Sequence, residues 1–192
     1  MKILLIDLGA QQLSKENIND KHEWSEEWLI GVSKLLAKNN EVDVFCNTKE
    51  DFVYNNVNFK NIYYIITRFL KGKKYDIAIL NRIVYRFDCD FIALCKQYRI
   101  ANKVFLQMHD FRILCDQGVL SDEKLQTTLI RDSFLTKILY INDDHKQELE
   151  KIYPTLKDLN SDCLYNEEID KIPHEEIIKK SVDYFLHLSD SN

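Results

Sequence analysis

Apolar residues come in short unbroken runs along this chain, and each run ends in a polar or small residue. Ile3–Leu8 is interrupted only by Asp7 and followed by Gly9-Ala10; Tyr75–Leu80 is tipped by Asn81 and Arg82; Lys103–Met108 is tipped by His109 and Asp110; Ile138–Ile141 is shorter. Such runs suit parallel strands buried on both faces, which show no polar alternation. Val42, Val44 and Cys46 alternate with Asp43 and Phe45 in a further short strand, and Ile62–Ile66 gives another after the turn-like, Asn-rich segment Asn55–Asn61.

Between these runs the apolar spacing changes to that of helices. Ser25 is placed to cap a helix whose first turn carries Glu26 and Glu27, where acids suit the positive end of the helix dipole. Trp28, Leu29, Val32, Leu35 and Leu36 then repeat on one face until Asn39-Asn40. Asp88 or Asp90 opens a helix through Tyr98 that buries Phe91, Leu94 and Cys95. Ser121 with Asp122-Glu123 caps one running to about Ser133, and Asp143–Tyr153 is a charged helix stopped by Pro154. Gln11–Glu23, Phe111–Asp122 and Leu156–Asn166 read as connections, the first of a length usually associated with function or motion.

Strands alternating with helices at this pitch predict an α/β fold with a doubly wound parallel sheet and helices on both faces. Gly9, Asn81 and His109 should then lie along one edge of that sheet. Residues 1–170 form the main domain and 171–192 a C-terminal helix or strand beyond it. His174–Lys180 is helical in pattern, whereas Val182–Leu188 alternates like a strand. A strand with no sheet of its own leaves backbone groups unpaired. Tyr184, Phe185 and Leu188 also make a helical stripe, so this segment is expected to rewind and dock.

Composition narrows the function classes. With 45% hydrophobic and 30% charged residues the chain is an ordinary globular sequence, and no apolar run approaches the roughly 20 residues of a bilayer span. A net charge of -5 argues against a nucleic-acid partner, which needs a concentrated basic face. Five cysteines without a C-x-x-C pair suit reduced thiols in the cytoplasm rather than disulfides or zinc, and no metal is implied. Four glycines leave no G-x-G-x-x-G after the first strand and no P-loop, so a tightly held dinucleotide is not expected. Asp7 within the strand and Asn81 at the central tip do not supply the acid cluster and phosphorylatable aspartate of a receiver domain.

His109 is the principal candidate residue. At the carboxyl end of a parallel strand it lies where ligand crevices form, and an imidazole oriented by Asp110 can take a proton from a substrate hydroxyl. Its other reading is as a strand cap bonded to a loop carbonyl. Trp24 stacks on a sugar ring or covers the sheet edge, and Arg82 and Arg86 hold an anion or are simply solvated.

The succession KILLIDLG, WSEEWLIGVSKLLAKN, NEVDVFCN, YDIAILNR, VFLQMHD and KILYINDDHKQELEKIYP resembles the Rossmann-like N-terminal domain of a GT-B fold glycosyltransferase of the group 1, family 4-like type. The resemblance covers nearly the whole chain, each motif being moderately specific. His22-Glu23 stands where the family has a double glycine, and Glu167 replaces a turn glycine in Asn166–Asp170. The resemblance implies the acceptor-side half of an enzyme that moves a sugar from a sugar nucleotide to a glycan or other hydroxyl acceptor. It also implies His109 as catalytic residue, with Gly9, Ala10, Trp24, Asn81, Arg82 and Asp110 on the substrate. The donor nucleotide is held by a second domain rather than bound tightly here. The competing expectation is a non-catalytic module that binds a glycan or a partner protein.

Overall fold

The computed structural model describes residues 1–7, 11–65, 74–81, 85–86, 89–90, 97–109, 114–115, 118–119, 121–129, 136–165 and 173–190. Strands β1 (Lys2–Asp7), β2 (Glu41–Cys46), β3 (Phe52–Tyr54), β4 (Val57–Asn61), β5 (Tyr75–Asn81), β8 (Ala101–Gln107), β11 (Lys137–Asn142) and β12 (Ser161–Tyr165) form one sheet in the order β12-β11-β8-β5-β1-β2-β4-β3. All neighbours are parallel except β3 and β4. The strands predicted at Ile3, Tyr75 and Lys103 are therefore the three neighbours at the centre, β1, β5 and β8.

Alternation along each central strand divides its side chains between two cores. Ile3 and Leu5, with Ile77, Ile79 and Phe105, join Trp28, Leu29, Val32 and Leu36 of α1 (Trp24–Leu36). Leu4, Ile6, Ala78, Leu80, Val104 and Leu106 join Leu125 of α2 (Asp122–Leu129) and Leu149 of α3 (Asp143–Ile152). Each large aliphatic side chain so buried contributes roughly 1.5–3 kcal/mol, which favours this arrangement over any register that turns one set outward. Among the described residues, no helix is long and apolar enough to cross a membrane.

Several local expectations are corrected. Helix α1 begins two residues early, at Trp24 with Glu23 in the cap position, and the Ser25 hydroxyl is spent on Glu26 Oε2 at 2.7 Å instead of on a backbone N–H. Asp43 shares the face of Phe45, opposite Val42 and Val44. It is fully buried, accepting from Tyr75 Oη at 2.7 Å and Asn58 Nδ2 at 2.9 Å, with Lys60 Nζ at 2.7 Å. The strand expected at Ile62–Ile66 lies earlier. Asn55 and Asn56 adopt left-handed φ values of 48° and 63°, the pairing a two-residue hairpin turn requires, so β3 turns there into β4. Ile62–Tyr64 is a 3-10 turn, capped by Asn61 Oδ1 accepting from Tyr63 N.

Asp90 belongs to a short ladder between β6 (Tyr85–Arg86) and β7 (Cys89–Asp90), not to a helix start; the body of that predicted helix, with Asp88, is outside the described residues. Within Phe111–Asp122, β9 (Leu114–Cys115) pairs with β10 (Gly118–Val119). The Leu156–Asn166 connection contains edge strand β12, whose half-polar sequence SDCLY hides it from periodicity. Val182–Leu188 is helical: α4 (His174–Asp190) is continuous and lays Ile177, Val182 and Phe185 into the core beside α1. The Gln11–Glu23 loop is tied down, with Leu13 bridging to Thr48 and Leu13 and Ile18 buried.

Candidate functional site

After β1 the chain moves to β2 and β4 on one side, then crosses back to β5 on the other. The gap between β1 and β5 is thus the point where strand order reverses, and in open α/β sheets the crevice outside the carboxyl ends at this point receives ligands. Three polar side chains end the central strands there in register, Asp7 opposite Asn81 and Asn81 opposite Gln107. By alternation they point to the α1 side, since Leu5, Ile79 and Phe105 two residues earlier all do.

All three are essentially inaccessible to solvent. Asn81 Nδ2 donates to Asp7 Oδ2 at 2.9 Å, and Gln107 Nε2 donates to the carbonyls of Met108 at 3.3 Å and Leu139 at 3.4 Å. Among the described residues, Asn81 Oδ1 and Gln107 Oε1 accept no hydrogen bond. Buried carbonyl oxygens left in that state carry a desolvation penalty, which a hydroxyl or N–H donor arriving there would relieve. Beside the row lies Cys46 at the end of β2. Burial, together with the Asp7 and Glu26 carboxyls, pushes its thiol far above the usual range, so it is a protonated core residue and not a nucleophile.

His109 follows Gln107 by two residues and is 9% exposed. Its ring sits edge-on to two indoles, Trp24 at 4.6 Å and 67° and Trp28 at 4.7 Å and 65°. Trp24 in turn lies against His174, the first residue of α4, with ring centroids 5.2 Å apart and planes tilted by 33°, and His174 Nδ1 is 3.2 Å from Glu27 Oε2. The first turn of α1, the start of α4 and the tip of β8 therefore meet in one aromatic cluster.

The predicted residues divide accordingly. His109, Trp24 and Asn81 all belong to this end of the sheet on its α1 side, with Trp24 touching His109. Gly9, Ala10, Arg82 and Asp110 are outside the described residues. Asp7, Gln107, Glu26, Trp28 and His174 were not singled out as site residues. The signal for Asp7 and Gln107 was present in the runs LLID and VFLQ, which end in the same kind of residue as AILN. Trp28 was placed in the core by spacing alone. Among the described residues, no three His, Cys, Asp or Glu side chains group as a metal site.

The sequence matches no protein-family model and no curated protein.

Proposed function

We propose that this chain is a doubly wound, Rossmann-like domain of the GT-B N-terminal type, forming the acceptor side of a glycosyltransferase. The observation that carries the proposal is the row Asp7–Asn81–Gln107 at the β1/β5 switch point, with His109 just past it. Two carbonyl oxygens without a donor among the described residues, beside a carboxylate, gather buried hydrogen-bond acceptors just beneath the strand tips, which suits the hydroxyls of a glycan or another polyol once admitted to them. In this role His109 takes the proton of the attacking hydroxyl, while a second domain holds the sugar nucleotide and its developing charge. Reduced thiols such as those of Cys46 and Cys163 suit a cytoplasmic setting.

The enclosure of His109 by two indoles favours a second reading, a glycan-binding or protein-binding module without catalysis. Calorimetric titration of the 192-residue chain separates the main possibilities. The proposal expects binding of oligosaccharide acceptors and weak or no binding of UDP- or GDP-sugars. Micromolar affinity for a sugar nucleotide, or sugar transfer by this chain alone, sinks the half-enzyme idea. In a two-domain protein, His109→Gln should lower turnover roughly 100-fold with acceptor affinity retained; unchanged turnover leaves the binding module.

A further inference from the structure

Helices α1 and α4 both run from the carboxyl edge of the sheet toward its amino edge. Trp24 and His174 meet at the site end, while at the other end the Leu188 carbonyl of α4 accepts from Lys103 Nζ of β8 at 2.5 Å. Between those points Gly31 lies against Ile178, and Phe185 is buried between Trp28 at 6.4 Å and Phe105 at 5.8 Å. Each indole that contacts His109 is also held by α4. Trp28 donates from Nε1 to Ser181 Oγ at 3.1 Å, and Trp24 packs its ring against His174.

A helix present only to bury apolar area gains nothing from a hydroxyl at position 181. Ser181 is fully buried and falls in the stripe Ile177, Ser181, Phe185, where an alkyl side chain would avoid the desolvation penalty. Its own proton goes to the Ile177 carbonyl at 2.9 Å, which turns the oxygen lone pairs toward Trp28. The hydrogen bond selects one orientation of the indole, something apolar packing specifies less sharply. His174, with Nδ1 3.2 Å from Glu27 Oε2 of α1, does the same for Trp24 through the contact of their rings.

We propose that α4 is a clamp that sets the imidazole of His109 through the two tryptophans, with Ser181 and His174 as positioning residues. Its meaning for acceptor chemistry rests on the function proposed above, but its test needs no substrate. The readout is the histidine Cε1–H signal of His109 in the carbon-proton NMR spectrum of the full chain, assigned by its loss in His109→Gln. Ring currents from two indoles at under 5 Å shift that signal away from the positions of exposed histidines.

Ser181→Ala should move the His109 signal toward the exposed-histidine position. Ser181→Thr, which keeps the hydroxyl, should restore it. His174→Ala, at a half-buried helix start where unfolding is not at issue, should move it through Trp24 alone. If Ser181→Ala and His174→Ala both leave the signal in place while Tm falls, α4 is only structural cover and the clamp is wrong. A moved signal in a chain that binds no acceptor keeps the clamp and removes the glycosyltransferase reading.

Discussion

The carboxamide of Asn81 donates to Asp7 Oδ2 across 2.9 Å, joining the two central strands at the level where both are fully enclosed. Removing the amide takes a hydrogen bond from a buried carboxyl group. Asn81→Ala should therefore lower stability by about 2 kcal/mol, or roughly 4–8 °C in Tm for a domain of this size. Urea denaturation of the variant against the parent measures it. A loss below about 0.5 kcal/mol would mean the pair is incidental to the fold.

Gly31 sets how closely α4 approaches. A Cβ there meets Ile178 Cδ1 at 2.5 Å, with Cγ2 at 3.1 Å and Cγ1 at 3.3 Å. The helix-propensity gain of alanine, about 1 kcal/mol, is opposed by overpacking worth about 1–3 kcal/mol. Gly31→Ala should be net destabilising, and Ile178→Val, which deletes Cδ1, should recover most of the loss in the double variant. Additive losses in this cycle would contradict the close approach.

Asp162 sits where β12 meets α4. Burial alone would raise its pKa, but hydrogen bonds from Lys137 Nζ at 2.6 Å and from the Tyr184 hydroxyl outweigh that and hold it below the usual value. A carboxyl group with a depressed folded pKa contributes stability that is complete above its unfolded value, about 3.9, and is lost as pH falls through the folded one. Urea midpoints taken from pH 6 down to pH 2 should fall less steeply in Asp162→Asn than in the parent. Parallel acid limbs would show that the pairing does not persist in solution.

Cys163 is half-exposed yet should react slowly. Burial, reinforced by its bond to Asp143 Oδ1 at 3.2 Å, pushes the thiol up to about 12. At pH 8 the thiolate fraction is then roughly a thousand-fold below that of an ordinary cysteine. Iodoacetamide labelling, followed peptide by peptide by mass spectrometry, should be slow in the folded chain and fast in urea. Asp143→Asn should speed the folded rate, and folded and unfolded rates that agree would dispose of the argument.

From its place at a strand tip alone, His109→Ala would be expected to leave stability nearly unchanged. The two indoles against its ring change that expectation, because alanine would leave a cavity between them. A loss of roughly 2–3 kcal/mol is predicted, readable as a shift in urea midpoint at constant slope.

The difference at His109 shows what the sequence carries and what it lacks. Strand existence was legible because Ile3–Leu8, Tyr75–Leu80 and Lys103–Met108 are nearly continuous apolar runs, broken only by Asp7, Asp76, Lys103 and Gln107, with no competing helical pattern. Asn55-Asn56 was read as a turn, but its conformation, which fixes a hairpin and moves the next strand to Val57–Asn61, depends on backbone angles rather than composition. Ser25 looked like a cap until Glu26 claimed its hydroxyl. Asp7, Asn81 and Gln107 were visible one at a time; only the register makes them a row. Nothing in local spacing joins Trp24 to His174 or Trp28 to Ser181.

The hydrogen bond between Trp28 and Ser181 spans 153 residues. At ribosomal rates of about 5–20 residues per second, the partner of that indole is made roughly 8–30 s after the tryptophan itself. Until then β1, β2 and α1 can pair and collapse, yet the flank of α1 that receives Ile177, Ser181 and Phe185 is open to water. Docking of α4 is accordingly what closes this face of the sheet, well after its strands have been made. A nascent or truncated chain stopping short of residue 181 presents a tryptophan-bearing apolar face, the kind of surface that chaperones hold and aggregates recruit.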